Sequence, residues 1–116
     1  MDYSKLSDFE INCDVLSVFN QDIKHMCLSG DNSCFYECGP TGDGWNQIDI
    51  PDYCNNPADA WPIIFGSKLW LRELFGKWQV YGFPTSNPNN VIKYFHENPL
   101  RAAMVVFLMM RDLSHE

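Results

Sequence analysis

Two Asn-Pro pairs are the residues whose type and spacing best suit chemistry. Asn56-Pro57 and Asn98-Pro99 each place an asparagine N-cap directly before a proline at the first helical position. The free N–H groups and positive dipole end of a helix start favour an anion or a carbonyl group. Arg101 follows in the first turn of the second helix, where the helix dipole disfavours a cation. We therefore expect a specific anionic partner for Arg101.

We predict that the two helix starts lie together and bind a small polar ligand of nucleotide type. Arg101 and backbone N–H groups would hold phosphate, an aromatic ring would stack on the base, and Asn or Asp side chains would contact the ribose or base edges. The predicted ligand-binding residues are Tyr53, Asn55, Asp59, Trp61, Trp78, Asn98 and Arg101. In the alternative interpretation, Arg101 bridges internally to Asp59 or Asp52 and only ties the helix starts together.

Metal binding and catalysis have weak support in the sequence. Cys34 and Cys38 are separated by three residues, not by the two of a zinc knuckle, and Cys27 and Cys54 would have to complete a site from other elements. None of the three histidines lies in a recognisable nucleophile signature, and the common catalytic and phosphate-binding motifs do not occur. We predict a protein that is not an enzyme and that has no metal and no cofactor.

The composition of the chain bounds its size and its partners. With 116 residues, 15 acidic and 8 basic side chains and a net charge of −7, it suits one compact domain over residues 1–116. Because the basic residues are scattered along the chain, we expect no direct binding to a nucleic-acid backbone or to a membrane. The N-terminus has no apolar signal segment, so we expect a cytoplasmic protein with reduced thiols.

Local signals predict three helices and a β-hairpin. Ser7 and Glu10 form a capping box for a first helix that ends near Asn20. Its inward-facing residues are predicted to be Ile11, Val15, Val18 and Phe19. Residues 34–38 and 45–50 are predicted as strands of a hairpin, joined by a turn at residues 39–44 that is rich in Gly and Pro. A second helix is expected at residues 57–65, with Pro62 kinking or shortening it, and a last helix at residues 100–112.

Residues 67–83 fit two interpretations. The spacing of Leu71, Leu74, Phe75 and Trp78 suits a helix, whereas residues 77–83 alternate as a half-buried strand would, and we favour a strand for the second part. The predicted fold class is α+β, with a small antiparallel sheet packed against N- and C-terminal helices and a short middle helix. Because the last helix is apolar nearly all round, it is either central or partly buried against a second copy, and we expect a homodimer.

Three blocks of the chain resemble a known family. They are MDYSKLSDFEIN (residues 1–12), DYCNNPADAWPII (52–64) and NPLRAAMVVFLMM (98–110), and they are similar to the NinX-like small proteins of lambdoid phages and enterobacterial prophages. Residues 20–50 and 69–97 match that family poorly. The resemblance implies a phage gene product in the bacterial cytoplasm, but the family is one of unknown function and implies no reaction.

We consider two binding functions, and a cysteine- or metal-dependent enzyme that acts on a host component stays open as a third, disfavoured hypothesis. The first is a non-enzymatic phage accessory protein that counteracts a host defence by sequestering a nucleotide-type ligand. The second is an acidic inhibitor that binds a host defence or DNA-processing protein through an aromatic patch and acidic residues. The acidic residues considered for it are Asp8, Asp14, Asp22, Asp43, Asp49 and Asp52.

Overall fold

The computed structural model describes residues 2–37, 46–84 and 89–114. Within these ranges, three α-helices and six β-strands follow one another in the order α1, β1 to β3, α2, β4 to β6 and α3, and two short 3-10 helices, Tyr3–Lys5 and Gln21–His25, flank α1. The helices are α1 (Asp8–Phe19), α2 (Pro57–Gly66) and α3 (Pro99–Ser114). The strands are β1 (Cys27–Leu28), β2 (Cys34–Tyr36), β3 (Gln47–Asp49), β4 (Trp70–Leu74), β5 (Lys77–Gly82) and β6 (Ile92–His96).

The start and end of α1 are as predicted. The Ser7 hydroxyl accepts the Glu10 backbone N–H at 3.1 Å, and the Glu10 carboxylate accepts the Ser7 N–H at 3.1 Å, which completes the capping box. Asn20 caps the other end. The prediction that Phe19 points into the core is wrong, because this ring is 58% exposed and lies at the surface, stacked on Phe107.

The middle helix α2 keeps its predicted start. The Asn56 side chain accepts the Ala58 backbone N–H, and Pro57 occupies the first turn. Pro62 lies inside the helix without ending it, and α2 runs on to Gly66, one residue beyond the predicted end. Its buried residues are Ala60, Ile63 and Ile64, which place one side of this helix against the core.

The first sheet contains the predicted hairpin. β2 pairs antiparallel with β3, with Phe35 opposite Ile48, and β1 adds a short third strand on the other side of β2. The turn predicted at residues 39–44 lies outside the described residues, as do Cys38, Asp43 and Trp45.

The second sheet, in the order β4, β5, β6, shows that the helical interpretation of Leu71, Leu74 and Phe75 is wrong. Phe75 and Gly76 both have positive φ, 54° and 80°, and form the two-residue turn of a hairpin between β4 and β5. β6 pairs antiparallel with β5 on the other side and is a strand that the sequence analysis did not predict. Residues 77–82 form a strand, as favoured.

The last helix, α3, is the central element of the fold. Every residue from 101 to 108 is buried, and α3 packs against α1, α2, β5 and β6. Gly82 permits this close approach, because a Cβ atom there would lie 2.9 Å from Leu69 Cδ2 and still closer to the Met110 sulfur. The architecture is α+β, as predicted, with two three-stranded sheets in place of one. No helix within the described ranges is long and apolar enough to cross a membrane.

Candidate functional site

The structure gathers several of the predicted site residues into one polar cluster. The helix-start cluster consists of Asp8, Asp52, Asn55, Asn98 and Arg101. Its residues come from the first turn of α1, the segment before α2 and the start of α3. Asn98 joins these segments: its Nδ2 donates to the Cys54 carbonyl at 2.6 Å and to Asn55 Oδ1 at 3.2 Å. Its Oδ1 accepts the backbone N–H groups of Leu100 and Arg101, which is the predicted cap of α3.

Arg101 is an internal bridge in this structure. Its Nη1 donates to Asp8 Oδ1 at 2.5 Å, and its Nη2 donates to the carbonyls of Leu6 at 2.6 Å and Tyr3 at 3.3 Å. The predicted partners Asp59 and Asp52 are wrong, since the carboxylate that Arg101 meets is Asp8, in the first turn of α1. Arg101 is only 6% exposed, whereas the Asp8 side chain is 42% exposed, so the ion pair is open to solvent on the Asp8 side.

The remaining polar groups of the helix-start cluster bond one another. Asn55 Nδ2 donates to Asp8 Oδ2 at 3.3 Å and to Asp52 Oδ1 at 3.1 Å, and the Asp52 backbone N–H donates to Asp59 Oδ2 at 3.0 Å. Asn12, a buried residue of α1 that sequence reasoning missed, donates to Asp52 Oδ1 and accepts the Cys54 N–H. Its place on the inward side of α1, beside Ile11, is the only sequence signal that could have identified it. The cluster is a hydrogen-bond network in which the buried Arg101 Nε has no partner among the described residues.

The ionisation of Asp8 reflects this network. Burial would raise the pKa of the Asp8 carboxyl, but hydrogen bonds from Arg101 and Asn55, with the nearby charge of Arg101, outweigh burial and hold the pKa below its usual value. Asp8 is therefore a carboxylate at neutral pH and neutralises the buried guanidinium.

The three predicted aromatic residues do not form a common base-stacking site. Tyr53 is buried, and burial together with the charge of Asp59 raises the pKa of its hydroxyl. Trp61 is 57% exposed on α2, with its ring 6.0 Å from that of Phe65, beside a groove of about 520 Å³. Trp78 is half-buried in β5, opposite Glu73 and His96.

The cysteines and histidines offer no catalytic pair within the described chain. Cys13, Cys34 and Cys54 are free thiols, as expected, whereas Cys27 is disulfide-bonded, so the expectation of reduced thiols throughout is wrong for this residue. Burial, with the charge of Asp8, raises the pKa of the Cys54 thiol to about 12, which makes this thiol a poor nucleophile. His96 accepts the Asn98 N–H through Nδ1. Residues 2–37, 46–84 and 89–114 contain no group of three His, Cys, Asp or Glu placed to hold a metal.

A second candidate surface, not predicted from the sequence, lies on the β4-β5-β6 sheet. Val80 and Gly82 of β5 face α3, so the alternate residues lie on the opposite side of the sheet, where Gln79 is buried and its neighbours are more exposed. We call the surface that these alternate residues form the outer sheet face. The strand register places its side chains in rows: Trp70, Tyr81 and Lys93 in one row, Arg72, Gln79 and Phe95 in the next, and Leu74 and Lys77 beyond them. Phe83 continues the face past the end of β5.

Aromatic rings on the outer sheet face are exposed and ordered against one another. Trp70 is 59% exposed, Phe95 50% and Phe83 44%. The Trp70 ring stacks on that of Tyr81 at 6.3 Å and 6°, and Phe83 meets Tyr81 edge-on at 6.2 Å. The outer sheet face therefore exposes part of the surface of these rings to solvent.

The same face concentrates positive charge. Residues 61–111 contain six basic and two acidic side chains, although the whole chain has a net charge of −7. Three of the six basic side chains, Arg72, Lys77 and Lys93, lie on the outer sheet face, and none of them forms an ion pair with another described residue. The Arg72 Nε donates to Gln79 Oε1 at 2.9 Å, which fixes the guanidinium beside a shallow pocket of about 260 Å³. The pocket is lined by Arg72, Gln79, Tyr81, Phe83, Val91 and Lys93.

Fold and surfaces together define a class: a small α+β domain with a hydrogen-bonded polar network at its helix starts and an aromatic, basic sheet face. The structure is similar to the crystal structure of a phage protein from Bacillus cereus, with a TM-score of 0.62 and 22% identity over 92% of this chain and 89% of that one. At this identity the likeness shows the fold alone. The family model described as bacteriophage P22, NinX matches residues 2–111, and the chain belongs to this family, which confirms the resemblance seen in the sequence. No curated protein matches.

Proposed function

We propose that this phage protein is a non-enzymatic binding protein that holds a nucleotide-type ligand on the outer sheet face. Its role would be to counteract a host defence by sequestering that ligand in the bacterial cytoplasm. The observation that supports the proposal is a set of three cations that have no ion-pair partner among the described residues and lie among exposed aromatic rings, in a chain of net charge −7.

Arg72 and Lys93 are suited to the phosphate. Both line the pocket, and the bond from Arg72 Nε to Gln79 orients the guanidinium while its two terminal nitrogens stay without a partner among the described residues. An arginine held in this way loses little side-chain entropy when it binds a phosphate through two parallel hydrogen bonds.

Tyr81 and Phe83 are suited to the base. Both rings line the same pocket as the two cations, so a base that stacks there keeps its phosphate within reach of Arg72 or Lys93. Exposed aromatic rings bind planar groups, and stacking is worth about 1–3 kcal/mol per base.

The helix-start cluster is a weaker candidate for this ligand, and for this reason the proposal moves the ligand to the sheet. The terminal nitrogens of Arg101 already have three internal acceptors, and Asn55 and Asn98 donate within the cluster. A phosphate would have to displace Asp8 from a buried guanidinium, which removes the charge-assisted hydrogen bond between them.

The local distribution of charged residues also favours an anionic ligand on the outer sheet face over one at the helix starts. Two carboxylates, Asp8 and Asp52, lie within the helix-start cluster, whereas the lining of the sheet pocket contains no acidic residue. An anion that approaches the outer sheet face therefore meets a locally positive field.

Native mass spectrometry tests the proposal on protein purified from a bacterial host. We expect a co-purifying nucleotide-like mass that is lost in Arg72→Ala and retained in Lys5→Ala, a matched control that removes an exposed cation outside the sheet. Retention of the mass in Arg72→Ala would contradict the assignment to the outer sheet face.

Native mass spectrometry also distinguishes the alternative function, an acidic inhibitor, from the proposed one. An acidic inhibitor would carry a stoichiometric host protein and no small molecule. Two of the acidic residues considered for that role, Asp8 and Asp52, are engaged inside the helix-start cluster, so they form a poor free acidic patch.

Homodimer formation stays a prediction. Since residues 101–108 of α3 are buried within one chain, the apolar character of this helix needs no second copy. Light scattering coupled to size exclusion measures the mass directly, and a monomer at micromolar concentration would contradict the prediction.

A further inference from the structure

We infer that the ligand of the outer sheet face is an unpaired nucleic-acid strand, bound across several nucleotides. This inference rests on the proposed function, because it uses the same surface and names the class of its ligand. It departs from the expectation of no nucleic-acid binding, whose premise was that the basic residues are scattered. Although the basic residues are scattered along the chain, the strand register places three of them on one face of the sheet.

The aromatic rings of the face outnumber those that one base can use. Tyr81, with Trp70 stacked on it, stands in one row, and Phe95 stands in the next row, on β6. Rows of outward side chains on a strand are about 7 Å apart, so the two platforms can each take a separate base. Phe83 adds a third ring at the end of β5.

The cations are distributed to match a chain of phosphates. Arg72 lies on β4, one edge of the sheet, and Lys93 lies on β6, the opposite edge, while Lys77 stands at the far end of β5. A single phosphate cannot contact all three. A strand that crosses the sheet can, with its bases on the rings between them.

An unpaired strand fits this surface better than a duplex. The bases of a duplex are stacked on one another and present no open face to an aromatic ring, whereas single strands stack their exposed bases on such rings. Sheets of comparable width that use this mode stack about two or three bases.

Fluorescence anisotropy with labelled oligothymidylates of increasing length tests the inference, with thymidine monophosphate as competitor. We expect the affinity to rise steeply from the mononucleotide to about four nucleotides and then to level off. A duplex of the same length should bind at least ten-fold more weakly. Oligouridylate of the same length distinguishes DNA from RNA as the source of the strand.

Two pairs of variants separate stacking from charge. Phe95→Ala should weaken binding by about 5- to 100-fold and leave the salt dependence unchanged, since it removes one base platform. Phe65→Ala, which removes an exposed ring on α2, is its control. Lys93→Ala should reduce the slope of log affinity against log salt by about 0.7, the value for one phosphate contact on a single strand. Lys5→Ala should leave the slope unchanged.

The outcomes distinguish the two proposals. If the mononucleotide binds as tightly as the longest oligomer and Arg72→Ala abolishes both, the proposed function stands and the inference of a strand is overturned. If duplex and single-stranded oligonucleotides bind with equal affinity, the inference that bases stack on the aromatic rings is wrong. If neither the mononucleotide nor any oligomer binds, or if binding ignores all variants of the face, both proposals are wrong.

Discussion

The helix-start cluster and the outer sheet face differ in how each uses its arginine. Arg101 in the helix-start cluster is 6% exposed, and both of its terminal nitrogens donate to internal acceptors. Arg72 on the outer sheet face is exposed and uses only Nε, toward Gln79. The terminal nitrogens of the first arginine are used within the fold, whereas those of the second have no partner among the described residues.

This difference shows why hydrogen-bonding residues at helix starts are ambiguous signals. Where α1, the segment before α2 and the start of α3 meet, the fold itself needs donors and acceptors for buried polar groups. The Asn and Asp residues that suit a ligand suit this task equally well. The sheet needs no such groups on its solvent side, so a cation there that has no partner among the described residues is a better candidate for a ligand contact.

The largest expected effect comes from Arg101. Arg101→Ala leaves Asp8 and the carbonyls of Tyr3 and Leu6 without their donor, and we expect the free energy of unfolding to fall by about 3 kcal/mol. Urea unfolding monitored by circular dichroism measures the change. A loss below about 0.5 kcal/mol, the range of ordinary surface substitutions, would show that the helix-start cluster is not structural.

Asn98 should have the next largest effect. Asn98→Ala removes the cap of α3 and the donor to the Cys54 carbonyl, so we expect a loss of about 2 kcal/mol. Asn56→Ala removes a cap alone and should cost about 1 kcal/mol. Equal losses in the two variants would mean that the link to Cys54 contributes nothing.

The pH dependence of stability should carry the signature of Asp8. Its folded pKa is lowered, so its contribution is fully present above the unfolded value near 3.8 and is lost as the pH falls through the lower folded pKa. Asp8→Asn should remove this dependence. Because the carboxylate is 42% exposed, we expect a difference of about 1 kcal/mol or less.

Urea unfolding of both proteins between about pH 5 and pH 2 measures this difference. Asp14 acts in the opposite direction, because burial and the charges of Glu10 and Asp112 raise its pKa. It is present in both proteins, so it cancels in the comparison. Identical pH profiles for the two proteins would exclude the Asp8 contribution.

The smallest effect on stability is expected at the outer sheet face. Lys93→Ala should change the free energy of unfolding by less than about 0.5 kcal/mol, and Arg72→Ala, which also removes the hydrogen bond to the buried Gln79, by about 1 kcal/mol at most. Thermal unfolding of both variants checks these values. Losses of unfolding free energy as large as that expected for Arg101→Ala would contradict the view that the fold depends on the helix-start cluster and not on the outer sheet face.

Much of the fold could be predicted where the signal is local. The capping box of α1, the asparagine caps of α2 and α3 and the hairpin of β2 and β3 each depend on residues close in sequence. The prediction failed at β4, because Leu71, Leu74 and Phe75 have a spacing that also suits a helix. The turn that ends this strand depends on the positive φ angles of Phe75 and Gly76, which the spacing of the apolar residues does not reveal.

The sequence by itself determined the helix starts, the α+β class and the family to which the chain belongs, because capping, turn residues and family blocks are read from neighbouring residues. Only the tertiary structure decided which polar residues use their hydrogen-bonding groups within the fold. Arg101 meets Asp8 across 93 residues, and Arg72, Lys77 and Lys93 come together through strand register. Pairings over such distances depend on packing and register, which no local pattern encodes.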